Sequence, residues 1–119
     1  MEKIVVMKYA YNDEINAILN ETVEIENSLE SMQKMVGGNI EVYPLTDELV
    51  IVCNEEGKLY GLPCTAIVIS DFSKNNELIV GDFFVCRRKE SDLCGLWKED
   101  LYTIPKRVHT IDSIKELRR

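Results

Sequence analysis

Three consecutive cations, Arg87-Arg88-Lys89, followed by Trp97, Tyr102, Lys106, Arg107 and His109, form the densest run of recognition chemistry in this sequence. Arginine presents a planar fork of donors that matches carboxylate or phosphate oxygens, and it stacks on aromatic faces. A cation held over indole or phenol gains from the ring quadrupole. Arg87, Arg88, Lys89, Trp97, Tyr102 and Arg107 are therefore the candidate ligand- or partner-binding residues, suited to a nucleotide, a phosphate or an acidic protein patch. Trp97 and Tyr102 would serve equally as core anchors for a C-terminal helix, with the cations a solvated strand edge that discourages pairing.

Other chemistries find less support. The cysteines at 53, 64, 86 and 94 contain no close pair that could present two thiolates from one knuckle, so no metal site is expected. A thiol nucleophile needs a base, and nothing brings Cys94 to His109, the one histidine. Gly37-Gly38 follows a helix and so lies at its negative end, the wrong polarity for a phosphate cradle. Glu55-Glu56 and Asp47-Glu48 lack the oxygen-rich spacing of a calcium loop and read as turn carboxylates. No catalytic residue and no cofactor are assigned.

The elements that must carry these side chains are more legible. Asn27, three residues before Glu30, predicts a capping box, and Leu29, Met32 and Val36 form an apolar stripe closed by Gly37. This helix, over about 28–36, is too short to stand alone and must lie on a sheet. Before it, Lys3 to Tyr9 predicts an interior strand and Thr22 to Glu26 a strand with one wet face; Asp13 to Leu19 reads as a helical turn or two, or an extended excursion. After it, Ile40 to Tyr43 alternates and Leu49 to Cys53 is continuously apolar, the mark of a strand covered on both faces. Asn54 to Gly57 predicts a hairpin turn into a strand at Lys58-Leu59-Tyr60.

Beyond Pro63, Ala66 to Ile69 is a further strand and Ser70 to Asn76 a loop. Leu78 to Cys86 predicts one long strand bulged at Gly81, with Phe84, Cys86 and Arg88 on one face and Phe83, Val85 and Arg87 on the other. Ser91 to Gly95 reads as a loop, Leu96 to Ile104 as a helix stopped before Pro105, and Ile111 to Leu117 as a last helix. The fold class is α+β: a mostly antiparallel sheet with one short helix packed on it and short C-terminal helices.

At 119 residues the chain fits one domain, without linkers or repeats, and can bury a core without staples. Net charge is −7, with residues 1–60 holding 12 acidic against 4 basic side chains. Such a surface repels nucleic acid and makes direct binding to it unexpected. The N-terminal apolar run, Ile4 to Met7, is too short for a signal peptide or a membrane span, so a cytoplasmic protein with free thiols is expected.

With the segments in place, the chain resembles a family catalogued as domain of unknown function 3846, small proteins carried largely by phages, plasmids and conjugative elements of Firmicutes. The matching residues are Ser28 to Gly38, Val52 to Leu59, Gly61-Leu62-Pro63 and Val80 to Val85, within a core of about 22–104. Gly95-Leu96 and Glu99-Asp100-Leu101 are similar to the family's closing helix. The Tyr11 to Asn20 segment and the tail from Ile111 depart from the pattern. The resemblance implies a setting, accessory cargo of a mobile element, and no catalytic or ligand residue.

The resulting expectation is a non-enzymatic binding protein, an accessory or anti-defence factor acting on a host protein by contact. Two alternatives are a protein that sequesters an anionic nucleotide signal around Arg87, Arg88, Trp97 and Tyr102, and an acidic mimic of DNA. A homodimer would suit a domain with exposed strand edges.

Overall fold

The computed structural model describes residues 2–112. The helix predicted at Ile111 to Leu117 lies largely outside that range; Ile111 and Asp112, which fall within it, are helical. Nine strands and two helices follow one another as β1 (Lys3–Asn12), β2 (Ala17–Glu26), α1 (Leu29–Val36), β3 (Ile40–Pro44), β4 (Leu49–Asn54), β5 (Cys64–Val68), β6 (Glu77–Val80), β7 (Phe83–Lys89), β8 (Asp92–Cys94), α2 (Asp100–Arg107) and β9 (Val108–Thr110). All strand pairs are antiparallel and fall into two sheets. One has the order β2-β1-β7-β4-β3, with β8 also paired to β7; the other has the order β6-β5-β9. The fold is α+β, as the alternation of its segments predicted.

The six-stranded sheet is buried on both faces at its centre. On one face Met7, Tyr9, Leu49, Ile51, Cys53, Phe83 and Val85 pack against Ala66, Val68 and Ile79 of the smaller sheet and Ile104 of α2. On the other, Ile4, Val6, Val50, Val52, Phe84 and Cys86 meet Met32 and Val36 of α1. The layers are thus helix, large sheet, small sheet. The period-two alternation of β4 and β7 divides their side chains between two cores, which explains why β4 is apolar throughout.

Helix α1 carries the chain from one edge of the large sheet to the other. Its N-cap is Ser28, whose hydroxyl accepts from the Ser31 amide at 3.1 Å, and not Asn27. Asn27 is used elsewhere: its side-chain amide donates to the Leu93 carbonyl at 3.0 Å and its backbone amide to Glu2, tying the helix entry to β8 and the chain start. Met32 and Val36 are buried as the stripe predicted, whereas Leu29 is exposed. Gly37 closes the helix in the left-handed conformation, φ 77°.

Four further expectations are corrected. The segment Lys58-Leu59-Tyr60 forms turns and no strand; its backbone bonds locally, Tyr60 to Glu56 and Leu62 to Gly57, so no hairpin partner forms for β4 there. The long strand foreseen from Leu78 to Cys86 is two strands in different sheets, because the chain turns at Gly81 (φ 75°) and crosses between them. Thr65 secures this crossing: its buried hydroxyl is the donor, its one proton shared between the Ile79 and Gly81 carbonyls at 3.1 and 2.8 Å. The loop predicted at Ser91 to Gly95 contains β8, and α2 begins at Asp100 and continues through Pro105. Burial of Ile104 and the anchoring of Asp100 outweigh the amide that Pro105 cannot supply. His109 sits in β9 opposite Ile67.

Candidate functional site

The basic-aromatic cluster resolves into one tight arrangement and several separate side chains. Arg87 ends the apolar part of β7 and points to the same face as Phe83 and Val85, towards α2. Its Nε donates to Asp100 Oδ2 at 2.6 Å and its Nη2 to Asp100 Oδ1 at 2.9 Å, a bidentate pair whose side chains are 10% and 5% exposed. The Glu48 carboxylate stands 3.8 Å from Nη1. Trp97 covers the guanidinium, with Cζ 3.5 Å from the ring centroid, and its backbone amide donates to Asp100 Oδ2 at 2.7 Å.

Asp100 therefore satisfies both the arginine beneath the indole and the backbone that carries the indole. The desolvation cost of burying two charges is met by geometry and by three charge-assisted hydrogen bonds. The outward consequence is at Trp97, which remains 61% exposed although both its backbone and one ring face are held. Leu101, one helical turn on, is partly exposed, and Tyr102 is 73% exposed.

The other predicted residues are not gathered here. Arg88 projects to the opposite face of β7, and its backbone amide donates to the Glu48 carbonyl. Lys89 ends the strand at a shallow open cleft with Glu2, Asn27, Glu90, Asp92, Leu93 and Cys94. Arg107, at the end of α2, pairs with Asp71 and reaches the Ile69 carbonyl, binding the helix to the chain just beyond β5. Of the residues singled out in the sequence, the structure brings Arg87 and Trp97 together, and it adds Asp100, the residue that organises them. An acid at the start of a helix carries no sign that it will be buried against a strand 13 residues earlier.

Two of the four thiols, Cys53 and Cys86, are buried. Burial pushes Cys53 up to about 11 and Cys86 up to about 12, so both are protonated at neutral pH. Among the described residues no group of three His, Cys, Asp or Glu side chains is placed to hold a metal ion. No helix among them is long and apolar enough to cross a membrane.

Residues 13–109 match the family described as domain of unknown function (DUF3846). The chain belongs to the DUF3846 family. The match takes in most of the Tyr11 to Asn20 segment, expected to depart from the family pattern, which forms the tip of the β1-β2 hairpin. Both helices and every strand from β2 to β8 lie within the DUF3846 span. No curated protein and no solved structure matches the chain.

Proposed function

We propose that this DUF3846 protein is a non-enzymatic binding protein of a mobile genetic element, an anti-defence factor that blocks a host protein by direct contact through the face of Trp97, Leu101 and Tyr102. The observation that carries this reading is an indole that is exposed yet held: stacked on Arg87 and fixed at its backbone by Asp100. Large aromatic side chains that are ordered before binding lose little entropy on association, which is why Trp and Tyr dominate the energetics of interfaces. The mobile-element setting comes from the family resemblance.

The sequestration of an anionic nucleotide draws less support. Arg87 already spends its Nε and Nη2 on Asp100, Arg88 faces the other way, and Arg107 is engaged with Asp71. An incoming phosphate would have to displace a bidentate carboxylate.

The test is a pull-down against candidate host immune proteins with the wild-type chain and Trp97→Ala. A partner retained by the wild type and weakened at least tenfold by Trp97→Ala is expected, the magnitude typical of a central aromatic anchor. Retention of no partner, or equal retention by the variant, would sink the reading. A melting-point rise with a nucleotide would favour sequestration instead.

A further inference from the structure

Among the described residues, each sheet ends in a strand with no outer neighbour at one shared cleft. β3 ends the large sheet and β6 ends the small one, and between them lies a cleft of about 120 Å³ lined by residues that include Glu41, Tyr43, Cys53, Lys58, Glu77 and Ile79. Register determines what faces inward. Glu41 is opposite Cys53 and Glu77 opposite Val68, and Cys53 and Val68 both belong to the core between the sheets, so both carboxylates lie on the inner faces. Lys58 pairs with Glu77 at 3.2 Å from the turn segment that crosses this end.

We propose that this open end is a docking site for an extended, basic segment of a partner protein, which adds to a free strand edge and places one lysine side chain in the cleft. Edge strands offer unpaired amides and carbonyls to an incoming strand, and alternate side chains of that strand then enter or leave the sheet face. The cleft is well below the roughly 300 Å³ at which drug-sized pockets begin, so it fits one unbranched side chain and no nucleotide or cofactor. Its carboxylates Glu41, Glu55 and Glu77 outnumber the single cation Lys58, and the stem of a lysine would lie along Tyr43 and Ile79 while its ammonium met Glu41 or Glu77. The raised Cys53 thiol reports the same field: after burial, the Glu41 carboxylate is the next cause, and Glu77 adds to it against Lys58. Exposed Val42 and Leu78 on the edges, with Leu59 and Tyr60 on the neighbouring turns, supply apolar contact for the segment's other side chains.

The probe is a fluorescent extended peptide alternating valine and threonine with a central lysine, compared with the same peptide carrying glutamate. Fluorescence anisotropy should show the lysine peptide binding at least tenfold more tightly, with amide NMR shifts confined to residues 40–44, 53–58 and 77–80. Glu41→Lys/Glu77→Lys, with an unchanged far-UV spectrum, should reverse the preference towards the glutamate peptide. No binding of the lysine peptide, equal binding of both peptides, shifts centred on another face, or a charge reversal without effect on preference would each overturn the proposal. The site does not involve Trp97, so failure here leaves the pull-down result untouched, and the converse also holds.

Discussion

Arg87 and Asp100 show how a charged pair can be structural and still shape the surface. Removing one member leaves the other buried without its bidentate partner, a loss of about 3–5 kcal/mol in comparable sites. Asp100→Ala is therefore expected to lower the unfolding free energy from urea titration by about that amount and to free Trp97, seen as a red shift in its emission. The double change Arg87→Met/Asp100→Leu should cost much less than the two single changes summed, since no orphaned charge remains. Additive losses would mean that the two groups do not act as a pair. The sequence made Arg87 and Trp97 conspicuous through residue type alone, whereas Asp100 resembled any acid in the first turn of a helix.

At the level of elements, the decisive event is the passage from β6 to β7 at Gly81. A Cβ there would adopt a left-handed backbone, which costs about 1–2 kcal/mol for an L-residue, and would stand 2.7 Å from Leu62 Cδ1. Gly61 shares the positive φ but has nothing within 4 Å of such a Cβ. Gly81→Ala is expected to destabilise the protein by more than Gly61→Ala, and the difference between their unfolding free energies measures the contact with Leu62. Equal losses would show that Leu62 moves aside freely. Glycine at 81 could be read from sequence as an interruption, and both flanking runs as strands. That the interruption changes sheets, where a bulge would have kept one, depends on Thr65 and on pairing with β5, contacts that lie 14 and 16 residues back along the chain.

The molecule as a whole buries titratable groups on both faces of its large sheet: Tyr9 and Cys53 on one side, Cys86 on the other. Burial raises Tyr9 from 10.0 to about 12, Cys53 from 9.0 to about 11 and Cys86 from 9.0 to about 12. Each is neutral in the folded and unfolded chain below about pH 8, so their contribution to stability is complete there. As pH rises the unfolded chain loses these protons first, and stability falls between about pH 8 and 12. The urea midpoint should hold from about pH 7 to 8 and decline above it, with a shallower decline in Cys86→Ala; a midpoint independent of pH up to about 11 would contradict the burial of these groups. The sequence by itself determined the elements whose signals are local: the two-faced apolar strand β4, the alternation that splits β7 between faces, and the helix that stops at Gly37. Only the tertiary structure decided which sheet each strand joined, that Lys58-Leu59-Tyr60 would form turns and no strand, that Ser28 would displace Asn27 as the cap, and that Arg87 would close on Asp100. Periodicity and propensity are properties of neighbouring residues, while register, sheet membership and the partner of a buried charge follow from contacts between segments far apart in the chain, on which no local pattern reports.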